Sequence, residues 1–218
     1  MIKGVIFDLD GTLADTLPDL GNAMNEMLLQ FGFPTRTREE HRLAICYGSR
    51  EFVRLSLPEE AREDARIDSA LAVYKKCYLA ACTVKTRPYE GITEMLLSLA
   101  EKGIALAVQT NKPMALAKEV VNAYFAQVPF VAVLGHEEGR PTKPDPTAAL
   151  EIAKMMGFDP SEIAFVGDSD VDMKTARNAG MQPIGVTWGY RDADTLCSKG
   201  VVPLFDSAKE LETYLTQY

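Results

Sequence analysis

Short apolar runs without polar interruption recur along the chain, and three of them end in polar clusters. Val5-Ile6-Phe7 leads into Asp8-Leu9-Asp10-Gly11-Thr12. Ile104 to Val108 leads into Gln109-Thr110-Asn111-Lys112-Pro113, and Ile163 to Val166 into Gly167-Asp168-Ser169-Asp170-Val171-Asp172. Phe130 to Leu134 and Pro183 to Val186 read as further strands, and Val201 to Phe205 as a weaker one whose Pro203 suits a sheet edge. Runs that do not alternate are buried on both faces, which is the mark of a parallel sheet covered by helices. Helical spacing such as that of Ile92 to Ala100 falls between the strands, so the pattern predicts an α/β fold with a doubly wound parallel sheet.

From 16 to 85 this rhythm stops. Leu20, Ala23, Met24, Met27, Leu28 and Phe31 recur at helical spacing, as do Leu71, Val73, Tyr74, Cys77 and Tyr78, and no strand is evident. Gly32 is placed to end the first helix, and Pro58-Glu59-Glu60 resembles a helix start. The segment reads as a small helical bundle inserted after the first strand, giving a core of 1–15 and 86–218 and a helical cap of 16–85.

Composition narrows the class. The 218 residues are 47% hydrophobic and 25% charged, the balance of an ordinary globular protein. A net charge of −8 argues against nucleic acid or an anionic membrane as partner. The first apolar run meets Asp8 too soon for the core of a secretory leader. Cys46, Cys77, Cys82 and Cys197 lack C-x-x-C spacing, and no cysteine has the C-x₅-R pattern of a cysteine phosphatase. Reduced thiols and a cytoplasmic setting are expected.

The polar clusters carry the chemistry. Asp8 and Asp10 lie two residues apart where a buried strand stops, and like charges there resist ionising together unless a cation intervenes. One acid can attack as a carboxylate while its neighbour carries a proton, although Asp and Gly are also ordinary turn formers. Thr110-Asn111 offers a hydroxyl, an amide and N–H groups that would suit a phosphate. Pro144 forces Lys143 out of the helical region, fixing a cation before the next helix. Asp168 and Asp172 fall at a strand end and in the first turn of the following helix, and capping explains one acid there but not three in five residues. A hard cation such as Mg²⁺ accounts for the rest. Each cluster has a bland reading alone. Together, at equivalent edges of one sheet, they describe one site.

With these residues in view, the chain resembles the haloacid dehalogenase superfamily of phosphohydrolases over nearly its whole length. The shared motifs are Asp8-x-Asp10-Gly11-Thr12, Thr110-Asn111, Lys143 and Gly167-Asp168-x-x-x-Asp172. The resemblance implies Asp8 as nucleophile and Asp10 as acid and base. It implies Thr110, Asn111 and Lys143 as phosphate ligands, and Asp8, Asp10 through its carbonyl, Asp168 and Asp172 as ligands of Mg²⁺. It also implies that the 16–85 bundle is the mobile α-helical cap.

Leu17-Pro18-Asp19-Leu20, Thr110-Asn111-Lys112-Pro113 and Val186 to Arg191 are similar to the phosphoglycolate phosphatase branch, although Cys46 stands where that branch has a glycine. The expected partner is a small phosphorylated metabolite, phosphoglycolate first, acted on by a monomer or homodimer. Arg50, whose planar fork can pair with a carboxylate, is the candidate specificity residue. Pyrophosphate, nucleotide or sugar phosphatases and a sugar phosphomutase share the chemistry. A non-catalytic binding or regulatory module is the alternative of another class.

Overall fold

The computed structural model describes residues 1–45, 48–198 and 203–217. Cys46 and the Val201-Val202 half of the weakest predicted strand therefore lie outside the described residues. The chain divides into two compact units, one of Met1–Asp15 with Pro88–Tyr218 and the other of Thr16–Arg87.

The first unit is built on a six-stranded sheet. Its strands are β1 (Gly4–Phe7), β2 (Ala105–Pro113), β3 (Phe130–His136), β4 (Ile163–Gly167), β5 (Gln182–Val186) and β6 (Leu204–Phe205). They lie in the order β3-β2-β1-β4-β5-β6, and every pair is parallel. The central β1 pairs Gly4 with Ala105 on one side and with Ile163 on the other.

Both sheet faces are covered, as uninterrupted apolar strands require. Phe7, Leu106, Val108, Val166 and Ile184 pack with Ile92, Leu99, Val120 and Leu211 from helices on one face. Ile6, Ala107 and Phe165 pack with Ala149, Ile152, Ala176 and Ala179 on the other. Fully burying such a side chain contributes roughly 1.5–3 kcal/mol, so the sheet is held mainly by these two layers.

One strand is longer than its apolar run. The sequence predicts an end at Val108 with a turn over Thr110-Asn111, yet β2 continues to Pro113 and pairs there with His136. Asn111 explains the extension, because its side chain hydrogen-bonds the backbone of Lys143 far along the chain.

The second unit is helical: α1 (Leu17–Gln30), α2 (Arg38–Ala44), α3 (Ser49–Ser56) and α4 (Asp64–Ala81). Leu20, Met24, Met27 and Leu28 of α1 are buried, as are Tyr74, Cys77 and Tyr78 of α4. Their spacing is the helical stripe read from the sequence. Pro58-Glu59-Glu60 opens a single 3₁₀ turn, Glu59–Ala61, and the helix begins later, at Asp64.

Candidate active site

The site lies where β1, β2 and β4 end. In a parallel sheet all strands finish on one edge, so residues far apart in sequence meet there. Asp8 follows β1, with its N–H donating to Val166 O at 2.9 Å. Asp168 follows β4. Asp172 sits in the first turn of the helix Asp170–Ala179 and joins Ser169 in a capping box. Carboxylate oxygens of Asp8, Asp168 and Asp172 lie within 4.8 Å of one another, and all three residues are buried.

One ammonium serves this cluster. Lys143 Nζ is 2.9 Å from Asp8 Oδ1 and 2.6 Å from Asp172 Oδ1, with its side chain 3% exposed. Burial works against its charge, but Asp172 and Asp8 more than offset that, so its pKa is raised and it stays protonated. Burial pushes the Asp8 carboxyl up to about 8, Lys143 opposing and Asp172 and Asp168 adding to the shift. Burial raises Asp168 to about 7, Asp172 reinforcing it and the Tyr190 and Thr12 donors pulling the other way. With one ammonium among three carboxyls, the cluster is short of positive charge.

Glycines make room for it. Gly11 has φ +89°, and a Cβ there would press on the Asp168 carboxylate. A Cβ at Gly189 would overlap Asp168, and one at Gly167 would overlap Asp172. An all-oxygen donor set, buried and short of positive charge, fits a hard divalent cation.

The remaining predicted residues fall as follows. Asp10 is partly buried, and its Oδ1 meets Lys112 Nζ at 2.8 Å. Thr110 is buried, and its Oγ1 accepts from Lys112 N at 3.2 Å, which leaves the hydroxyl proton to be donated. Asn111 spends its side chain on Lys143, accepting from its N–H at 2.8 Å and donating to its carbonyl at 3.2 Å. Arg50, in the helical unit, donates from Nη2 to Asp64 at 3.0 Å and Asp68 at 3.1 Å.

The sequence motifs include Thr12, Lys112, Ser169 and Tyr190 but assign none of them a role in the site. Thr12 Oγ1 donates to Asp168 Oδ1 at 3.1 Å, and the Tyr190 N–H donates to Asp168 Oδ2 at 2.7 Å. Ser169 Oγ donates to Asp172 Oδ2 at 2.5 Å. Trp188 Nε1 donates to Thr12 O at 3.0 Å, bracing the loop after β1. A signal existed for Lys112, because Lys112-Pro113 repeats the Lys-Pro pairing that singled out Lys143.

Comparison with known proteins agrees with this geometry. Residues 5–186 match the family described as haloacid dehalogenase-like hydrolase. The chain is 33% identical over 211 residues to phosphoglycolate phosphatase 1 of Pseudomonas aeruginosa, covering 95% of this chain and 77% of that protein. It is 32% identical to the N-acetylmuramic acid 6-phosphate phosphatase of the same organism, covering 96% of this chain and 93% of that protein. A Lactobacillus delbrueckii subsp. bulgaricus crystal structure, assigned by inference as a phosphoglycolate phosphatase, superposes with a TM-score of 0.92 at 31% identity, covering 98% of each chain.

Proposed function

Since the chain belongs to the haloacid dehalogenase-like hydrolase family, we propose that it is a Mg²⁺-dependent phosphatase of a small phosphorylated metabolite, working through an aspartyl phosphate. Family and named relatives make it a phosphoric monoester hydrolase. The observation that carries the finer reading is the convergence of Asp8, Asp168 and Asp172 around the single Lys143 ammonium.

In this reading an Asp8 carboxylate oxygen attacks phosphorus and forms a P–O bond. The ester P–O bond breaks, and the departing oxygen takes a proton from the Asp10 carboxyl. Asp10, now a carboxylate, then accepts a proton from water as the water oxygen attacks phosphorus. The bond to Asp8 breaks, releasing inorganic phosphate and restoring the Asp8 carboxylate.

Lys143 and the Thr110 hydroxyl hold phosphoryl oxygens, and Lys143 also orients Asp8. Asn111 contributes by clamping Lys143 and can still donate its second amide proton. Asp8, Asp168 and the Asp10 carbonyl would hold the ion, which when bound supplies positive charge against the carboxylates and the phosphoryl group. Both oxygens of Asp172 already accept hydrogen bonds, which favours its contact with the ion through water. Phosphoryl transfer is accelerated mainly by such positioning and charge neutralisation.

The unit Thr16–Arg87 serves as the water-excluding cap. Phosphoglycolate leads as substrate because several relatives carry that name. A second substrate is suggested by one relative: the N-acetylmuramic acid 6-phosphate phosphatase is matched at 32% identity over 93% of its own length, level with the 94% of the Psychrobacter arcticus phosphoglycolate phosphatase. Both substrates carry a carboxylate, the group assigned to Arg50. No helix among the described residues is long and apolar enough to cross a membrane, in keeping with the proposed cytoplasmic setting.

The test is kcat/KM over a panel with Mg²⁺ and with EDTA. Phosphoglycolate is expected to exceed N-acetylmuramic acid 6-phosphate, pyrophosphate and hexose phosphates by about tenfold or more, a margin that one well-matched polar contact can supply. A reversed order moves the assignment to the sugar phosphate. Undiminished turnover in EDTA removes the ion from the reading.

A further inference from the structure

Lys112 is a lysine in the wrong place for a structural one. Its side chain is 2% exposed, and an ammonium that deep costs several kcal/mol unless paired. Lys112 Nζ lies 2.8 Å from Asp10 Oδ1, an ion pair. Asp10 itself is 17% exposed, so the pair lies at the border between the buried cluster and solvent.

The loop after β1 presents two acids two residues apart, and each meets its own lysine. Asp8 faces Lys143, and Asp10 faces Lys112. Separate partners keep the two carboxyls turned to separate tasks. Lys112 is also rigidly placed. Its N–H donates to Thr110 Oγ1, it belongs to β2, and Pro113 follows it. A single extended segment therefore fixes both the Thr110 hydroxyl and the ammonium that holds Asp10.

We infer that Lys112 is a positioning residue, gripping Asp10 by Oδ1 so that its other oxygen is aimed at the leaving oxygen of the bound ester. This rests on the reading of Asp10 as the acid given above. With Oδ1 accepting from the ammonium, the transferred proton travels on Oδ2. Loss of Lys112 lets the carboxyl rotate. The chemistry then suffers wherever a proton must be delivered, and little where it need not be.

The experiment compares two phosphate esters whose parent alcohols are neutral. Glycerol 2-phosphate leaves as an alkoxide that needs a proton, whereas p-nitrophenyl phosphate leaves as a stable phenolate. Lys112→Met, close in volume, is expected to lower kcat/KM for the glycerol ester by about 30-fold or more and for the aryl ester by less than about 3-fold, within the range of general acid catalysis. With the aryl ester it should also show a burst of nitrophenolate, because the second step still needs Asp10 as base. Adding Lys112→Met to Asp10→Asn should cost nothing further on the glycerol ester, since two residues acting as one are not additive.

Equal losses on both esters, or a full extra loss in the double variant, overturn the inference. Should the Met variant not fold, Lys112→Gln, polar but uncharged and shorter, takes its place, and the same ratio decides. If Asp10→Asn is itself unselective, the acid reading of Asp10 falls and this inference with it. If Asp10→Asn is selective and Lys112→Met is not, only the role of Lys112 is wrong.

Discussion

Both compact units bury ionisable side chains, and they handle the cost in opposite ways. In the helical unit the buried Asp19 accepts from Lys85 N, Thr86 N and Thr86 Oγ1 at 2.8–2.9 Å. His41, also buried there, is held neutral, its pKa lowered to about 4 mainly by burial. In the sheet unit three acids crowd together, and Asp8 and Asp168 are pushed far above the usual carboxylate range. Among the described residues, the buried side-chain polar atoms of the helical unit have hydrogen-bond partners, apart from His41 Nδ1. The sheet unit leaves a demand for positive charge. That unmet demand, rather than the presence of buried acids, distinguishes a reactive site from a structural clamp.

The comparison breaks most directly by removing one acid from each side. Asp8→Asn is expected to lower turnover of p-nitrophenyl phosphate by at least about a thousandfold, since the proposed nucleophile is removed. Its Tm should hold or rise, because a strained buried carboxylate has been removed. Asp19→Ala is expected to do the reverse. It strands three donors and costs about 3 kcal/mol of stability, while kcat per folded molecule changes little. Wild-type rates in Asp8→Asn would end the covalent mechanism.

A smaller effect separates the two units by pH. Asp8 and Asp168 bind protons more tightly folded than unfolded, so metal-free stability falls as pH rises from about 4 toward 8. His41 has the opposite sign: the unfolded chain binds its proton more tightly, so its contribution rises between about 4 and 6.5. Above pH 6.5 only the acids remain in play. Melting in EDTA should therefore show Tm falling between pH 6.5 and 8. Mg²⁺ should restore more stability at pH 8 than at pH 5, because a cation binds the deprotonated carboxylates. A metal-free Tm that climbs across that window would show that the acids are not strained.

The sequence disclosed the parts of this picture that rest on local pattern. Val5 to Phe7 and Ile163 to Val166 are unbroken apolar runs, and burial on both faces leaves that trace wherever it occurs. Asp8, Lys143, Asp168 and Asp172 were visible because acids and a proline-fixed lysine stand where such runs end. What stayed hidden depends on partners remote in the chain. Asn111 reads as a turn residue until Lys143, 32 positions on, is seen to pair with both ends of its amide. Asp19 stands in the sequence only within Leu17-Pro18-Asp19-Leu20, while Thr86, which donates to it, lies 67 positions away. Lys112 meets Asp10, which lies 102 positions earlier in the chain. Hydrogen bonds of that span have no period for a sequence pattern to detect.

The smallest effect concerns a pair that resembles those of the active site in chemistry but not in surroundings. Arg50 sits between Asp64 and Asp68, with its side chain 47% exposed and theirs 89% and 65% exposed. Water screens these charges, so Arg50→Ala should leave Tm unchanged within error. A guanidinium held this loosely can exchange its carboxylate partners for one on a substrate, because solvated ion pairs are broken at little cost. Arg50→Ala should then raise KM for phosphoglycolate by about three- to tenfold, the worth of one partly solvated charged hydrogen bond, and leave KM for p-nitrophenyl phosphate alone. An equal rise for both esters would return Arg50 to the surface pairs of its helix. No rise for either would make Asp64 and Asp68 its only partners.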